Sequence, residues 1–194
     1  MFTYKTFNNI AEDGLAVMAS KKINEVSENP DALILRSHKL VADEFGSNLS
    51  AIARAGAGVN NIPLKDATDL GVVVFNTPGA NANAVKELVI CGMLLSSRGI
   101  VDGINFAKNL DSTDADALNK MLEAQKKTFA GNELAGKTIG IVGLGAIGSM
   151  LAQASQALGM KLVGYDPHIS IDSAWRLPRE VEKAETLEDL LKQS

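Results

Sequence analysis

The stretch TIGIVGLGAIGSM, residues 138–150, runs from small and β-branched apolar residues into three glycines and out into a helix-compatible segment. The glycines fall at 143, 145 and 148. In a strand–turn–helix they play three separate roles. Gly143 permits the tight turn, Gly145 lets the backbone approach a pyrophosphate, and Gly148 lets the helix pack close to the strand. The opening helix would present unpaired N–H groups and the positive end of its dipole to phosphates. Alone, the three glycines also read as a plain turn. The next apolar run, KLVGYDP (161–167), ends in Asp166, which lies 166 − 148 = 18 residues beyond Gly148. A carboxylate at that strand tip either accepts hydrogen bonds from the adenosine ribose hydroxyls and repels a 2′-phosphate, or caps a turn before Pro167. Pro167 and His168 follow it with no Arg or Lys adjacent, so the pattern favours NAD over NADP.

On both sides of this motif, short apolar runs alternate with helix-compatible segments, the pattern of parallel sheets covered by helices on both faces. Strands are expected at FTYKTF (2–7), ALILRS (32–37), LSAIARA (49–55), GVVVFN (71–76), 138–143 and 161–166. Helical segments between them are IAEDGLAVMA (10–19), LVADEFG (40–46), PLKDATDLG (63–71) and IGSMLAQASQALG (147–159), with Pro63 at a first helical position and Gly71 and Gly159 as stops. A long helical stretch, ANAVKELVICGMLLSSRGIVDGINFAKNL (82–110), separates the two series. Its first half is apolar on nearly every side, as in helices buried by more than one neighbour, and it is expected to bridge two domains and to offer a subunit interface. The polar segment 111–137 is expected to run over the surface.

The bulk properties exclude several function classes. With 194 residues and 46% hydrophobic content a real core is available, and a net charge of −4 gives no attraction to nucleic acid or an anionic membrane. No basic run interleaved with aromatics occurs, so neither nucleic acid nor a membrane is an expected partner. The N-terminal residues show no secretory pattern, and no stretch is apolar and long enough to span a bilayer. The single cysteine, Cys91, cannot form an internal disulfide or a zinc cluster; within its apolar run it reads as a small buried hydrophobe, consistent with a reducing cytoplasm. No metal site is expected.

A second glycine-rich loop, ARAGAGVNNIP (53–63), places Gly56 and Gly58 just after a strand that ends in Arg54. Consecutive exposed N–H groups in such a loop form an anion nest, to which Arg54 can add a forked contact. A carboxylate or phosphate is the natural guest. Arg36 and Ser37 end the preceding strand and NTPGAN (76–81) follows the next one, so the three loops should converge beyond the carboxyl ends of the strands. Arg36 and Arg54 read alternatively as surface ion-pair partners. His38 and His168 read as ligand-side groups or as ordinary loop histidines, and neither is placed as a general base.

The segments LRS, RAGAGVNNI, FNTPGANANAVKEL, NELAGKTIGIVGLGAIG and GYDP occur in this order over nearly the whole chain. Through them the chain resembles the N-terminal part of the D-isomer-specific 2-hydroxyacid dehydrogenase family, above all its 3-phosphoglycerate-oxidising branch. The resemblance implies an α/β chain with a flavodoxin-like substrate domain over 1–80, bridging dimer helices over 81–110, and the first half of a Rossmann NAD-binding domain over 111–194. It implies a cytoplasmic homodimer that transfers hydride between NAD and a small 2-hydroxy acid at the entry to serine synthesis. The loop from Arg54 through Gly56 to Gly58 would hold the substrate carboxylate, Arg36 and Asn81 would touch substrate, and Ala57 would approach the nicotinamide. Gly143, Gly145, Ala146, Ile147 and Gly148 would cradle the pyrophosphate, with Asp166 on the ribose. The family's catalytic arginine, glutamate and histidine come from segments beyond residue 194, so no catalytic residue is assigned and the chain alone should be inactive. Relatives more often carry alanine at the position of Lys86, a change expected on a helix surface. Arg36 and Lys39 are candidates for the phosphate of 3-phosphoglycerate. Glyoxylate, hydroxypyruvate or a branched 2-keto acid remain alternative substrates, and a dinucleotide-binding module without turnover remains an alternative role.

Overall fold

Parallel pairing joins every described strand of this computed structural model, within two separate units, Met1–Asn81 and Ala82–Ser194. Residues 2–111 and 113–194 are described; Met1 and Ser112, which fall in the expected first and last domains, lie outside the described residues.

The first unit follows the order β1 (Thr3–Phe7), α1 (Glu12–Ser20), β2 (Asn24–Glu25), β3 (Ala32–Leu35), a 3-10 turn at Ala42–Glu44, β4 (Ala51–Arg54), α2 (Leu64–Asp69) and β5 (Val73–Phe75). Its sheet has the order β2-β1-β3-β4-β5, the flavodoxin-like arrangement. Successive strand residues point to opposite faces, and the register sets Lys5, Leu33, Ile52 and Val74 side by side. That face carries the core, in which Leu33, Leu35, Leu40, Leu49, Ile52 and Ile62 pack with Ala67 of α2. The opposite face is only partly covered. Met18 and Ile23 wall a shallow apolar cavity of about 320 Å³ over Tyr4, Ala32, Ile34 and Ala51, while Val73 and Phe75 stay more than half exposed. Full cover on both faces, expected from the alternating pattern, is therefore absent here among the described residues.

The second unit comprises α3 (Ala82–Ser97), α4 (Ile100–Lys108), α5 (Ala115–Gln125), a 3-10 turn at Lys126–Phe129, β6 (Thr138–Val142), α6 (Ala146–Ala157), β7 (Lys161–Tyr165), α7 (Ile171–Ala174), β8 (Val181–Lys183) and α8 (Leu187–Gln193). The sheet order β6-β7-β8 is the first half of a Rossmann sheet. On one face Ile141, Leu144 and Leu162 pack with Leu151 and Ala152 of α6 and with Val89, Ile90 and Met93 of α3. On the other, Val163 and Ala184 pack with Leu190 of α8. No helix among the described residues is long and apolar enough to cross a membrane.

Three expectations need correction. The helical stretch 82–110 is broken at Arg98 and Gly99 into α3 and α4: Gly99 leaves helical geometry (ψ +42°) as the N-cap of α4, and the Phe129 backbone lies so close that a Cβ there would collide with it. Within α3 the burial is one-sided: Val89 and Met93, one turn apart, face the sheet, whereas Leu88 is 72% exposed and Cys91 is exposed beside it. Cys91 is thus not a buried hydrophobe, since three residues beyond Leu88 it shares that residue's outer face. The segment 111–137 is not merely a surface run either. Asp114 caps α5 by accepting the Asp116 N–H at 3.0 Å, and that helix was hidden by its polar composition. Strands β2 and β8 and helices α7 and α8 were also missed; β2 and α7 are no longer than four residues, while β8 (VEK) and α8 (LEDLLKQ) are mostly polar.

Ile52, with no exposed surface, sits at the centre of the first core. Ile52→Ala is expected to cost about 2–5 kcal/mol and Ile52→Val about 1 kcal/mol, read as urea midpoints by far-ultraviolet circular dichroism. A loss under about 1 kcal/mol for the alanine variant would contradict the packing described.

Candidate functional site

In the second unit the glycine loop leaves β6 and enters α6. Gly143 sits at φ +85°, where glycine carries no Cβ penalty, and its N–H donates to the Tyr165 carbonyl at 2.9 Å. Gly148 is buried against the strand, and a Cβ there would run into the Gly143 carbonyl oxygen. Gly145 differs: nothing lies within 4 Å of the place a Cβ would occupy. The three glycines therefore meet three different constraints, a turn, a close packing and an open approach.

The β6–β7 register brings Asp166, one residue past β7, to this loop. Its Oδ2 accepts the Leu144 N–H at 2.8 Å and its Oδ1 accepts the His168 N–H at 2.9 Å. Asp166 thus caps the turn over Pro167, as one of the two sequence readings has it, and in addition anchors the glycine loop. These two backbone donors, Leu144 first, hold its carboxyl below the usual carboxylate range. Gly145, Ala146 and Ile147 are exposed, and their N–H groups donate to no acceptor among the described residues. They form the first turn of a twelve-residue helix whose N-cap, Gly145, offers no side-chain cap. Open donors, open space above Gly145 and an adjacent carboxylate fit a dinucleotide's pyrophosphate and ribose.

In the first unit, adjacent β1 and β3 send their connections to different sides, and a crevice forms beyond such a switch point. A cleft of about 460 Å³ lies there, lined by Asn9, Ile10, Arg36, Gly56, Thr77 and Asn81 among others. Arg36 and Asn81 are exposed in it. Arg54 is placed differently: its Nε donates to the Arg36 carbonyl at 3.1 Å and its Nη1 to the Gly58 carbonyl at 2.6 Å. The guanidinium thus knits two loops together and forms no ion pair among the described residues. The Ala57, Gly58 and Val59 N–H groups donate to nothing among the described residues.

The β1 exit, which sequence reasoning overlooked, shapes the same edge. Asn8, at φ +68°, accepts the N–H groups of Ser37 (3.0 Å) and His38 (2.8 Å) on its side-chain oxygen, and Asn61 donates to the His38 carbonyl at 2.7 Å. The sequence signal is an asparagine directly after a strand, a residue type enriched at positive φ and in backbone-capping turns. His38 stacks on Phe7 with ring centroids 4.2 Å apart, and its Nε2 lies 2.9 Å from Glu44. Burial alone would raise the Glu44 pKa, but the Val41 N–H and His38 outweigh it and hold the carboxyl below its usual range. His168 is an exposed loop residue tied to Asp166 through its backbone N–H.

Residues 102–194 match the family described as "D-isomer specific 2-hydroxyacid dehydrogenase, NAD binding domain". The chain is 34% identical over 180 residues to a D-3-phosphoglycerate dehydrogenase of Methanocaldococcus jannaschii, covering 91% of this chain and 32% of that protein. It is 41% identical over 140 residues to a hydroxypyruvate reductase of Thermotoga maritima, covering 71% of this chain and 42% of that protein. The chain therefore spans roughly a third of the length of these relatives. In fold it resembles the NAD⁺-bound 3-phosphoglycerate dehydrogenase of Entamoeba histolytica, with a TM-score of 0.66 at 24% identity over 99% of this chain and 60% of that one. Behind a flavodoxin-like unit, residues 102–194 thus carry the NAD-binding domain of the D-isomer-specific 2-hydroxyacid dehydrogenase family.

Proposed function

We propose that the chain supplies the substrate-binding unit and the first half of the NAD-binding domain of an NAD-dependent dehydrogenase acting on 3-phospho-D-glycerate. The observation that carries this reading is the cradle at Gly145–Ile147, with unpartnered N–H groups, free space over Gly145 and Asp166 alongside. When bound, NAD supplies the nicotinamide ring that exchanges hydride with the substrate's C2. The cradle's N–H groups bind the pyrophosphate. Asp166 keeps lone pairs for the ribose hydroxyls, and its negative charge repels a 2′-phosphate. The Ala57–Val59 amides take the substrate carboxylate, Asn81 the polar groups next to it, and Arg36, with Lys39 nearby in sequence, the phosphate. No side chain of this chain is assigned the proton transfer; its role is binding and orientation. We assign the assembly to the cytoplasm and to a homodimer, in which the outer face of α3, with Leu88, Cys91 and Leu95, meets a second copy. The similarity to a hydroxypyruvate reductase supports a second reading, in which the substrate lacks the phosphate.

The glycines separate fold from binding. Gly145→Ala is expected to leave the thermal midpoint nearly unchanged but to weaken NADH at least about tenfold, because its methyl group fills the approach to the loop. Gly148→Ala is expected to destabilise the unit itself by about 1–3 kcal/mol. Equal effects of the two on stability would overturn the cradle, with NADH fluorescence and calorimetry as readouts.

Asp166 titrates below its ordinary value of 3.8 because its charged form accepts the Leu144 and His168 N–H groups. Its contribution to loop stability is thus fully present above about pH 4 and is lost as pH falls through the lowered value. NADH affinity should hold from neutral pH down to about 4 and drop below it, while Asp166→Asn binds weakly with no such acid limb. An acid limb retained in Asp166→Asn would remove Asp166 as its source.

Arg36→Ala is expected to weaken binding of 3-phosphoglycerate about tenfold or more and of D-glycerate less than about twofold, by calorimetry. Equal losses would remove Arg36 as the phosphate contact and favour the unphosphorylated substrate.

A further inference from the structure

The loop after β4 has an asymmetry that its glycines do not explain. Its carbonyls are occupied: Gly56 O accepts the Thr77 N–H at 3.0 Å, Ala57 O accepts the Asn76 Nδ2 at 2.7 Å, and Gly58 O accepts the Arg54 Nη1 at 2.6 Å. The next amides, those of Ala57, Gly58 and Val59, are unpartnered among the described residues. A trans peptide is planar, with its C=O and N–H pointing in opposite directions. Each held carbonyl therefore turns the N–H of the same peptide the other way, and three successive peptides are fixed with their donors outward.

We propose that Asn76 and Arg54 are positioning residues that convert this loop into an anion site made of main-chain donors, while the Thr77 backbone does the same for the first of the three peptides. The inference rests on the reading of this loop as the substrate-carboxylate site and adds what makes it selective. A glycine-rich loop free to rotate its peptides would present carbonyl oxygens as readily as amides, and a carbonyl repels a carboxylate. Asn76, exposed and outside the glycine motif, removes that freedom at the 57–58 peptide. Arg54 removes it at the 58–59 peptide, and its Nε bond to the Arg36 carbonyl ties the loop to the neighbouring strand exit. Gly56 is required beside it, since a Cβ at that position would lie 2.8 Å from Arg54 Nη1 and push the guanidinium off its carbonyls. Arg54 thus acts through the loop rather than as the carboxylate's partner.

The test is a titration of the ¹⁵N-labelled chain with glycolate, the smallest 2-hydroxy carboxylate, following individual backbone amides. In the wild-type chain the Ala57, Gly58 and Val59 resonances should move together and saturate. Asn76→Ala should weaken glycolate about tenfold, with the largest loss of response at Gly58. Arg54→Lys keeps the positive charge but cannot span both carbonyls, so it should weaken glycolate by at least about fivefold, with the loss centred on Val59. Both variants should melt within a few degrees of wild type, which separates positioning from folding. If the wild-type amides do not respond to glycolate, the carboxylate reading fails and this inference falls with it. If they respond but both variants bind within about twofold of wild type, the positioning role alone is overturned and the carboxylate site stands.

Discussion

The parallel register of β6 and β7, from Thr138 against Lys161 to Val142 against Tyr165, is the constraint on which the cofactor side depends. Parallel strands end together at one edge, so a residue just past the second strand meets the turn just past the first. Here that pairing is extended by Gly143 N–H on the Tyr165 carbonyl and then by Leu144 N–H on the Asp166 carboxylate. A slip of one residue would reverse the side chains of β7 and remove the acceptor. The apolar faces prevent the slip, since Leu162 and Val163 pack into cores on opposite sides of the sheet.

The first unit solves a related problem by other means. Beyond the carboxyl ends of its strands the ladder stops and backbone groups need partners, and side chains from neighbouring loops supply them. Asn8 holds two amides of the β3 exit, Asn61 a carbonyl, and Arg54 and Asn76 the carbonyls of the β4 exit. The carbonyls of residues 56–58 are thus held while the amides at 57–59 stay open, as do those at 145–147. On the function proposed for the chain, both units recognise anions with main-chain donors presented at strand ends.

Much of this was legible in the sequence, and what was not has identifiable causes. The glycine spacing, the Asp166 position and the six strands other than β2 and β8 were readable because each rests on local chemistry: a turn, a carboxylate at a strand tip, and apolar runs of strand length. The fate of Arg54 was not, because its partners are carbonyls of residues 36 and 58, and a backbone acceptor leaves no trace in composition. Asn8 and Asn76 were overlooked because their partners are backbone groups too, N–H donors for Asn8 and a carbonyl for Asn76. The outward face of Cys91 escaped because a helix apolar on all sides carries no moment to say which side faces the sheet. Helix α5 was missed since it buries no residue and lies in an otherwise polar stretch, its start marked by the Asp114 cap.

The double engagement of Asp166 has a bearing on protein engineering. A redesign that trades this carboxylate for a small neutral residue, with the aim of admitting a phosphorylated ribose, would also strip Leu144 of its acceptor and release the bend that carries the amide cradle. On the function proposed for the chain, coenzyme preference and loop shape are then a single coupled trait. Exchange of one without damage to the other calls for a companion substitution that offers the orphaned Leu144 amide a new oxygen.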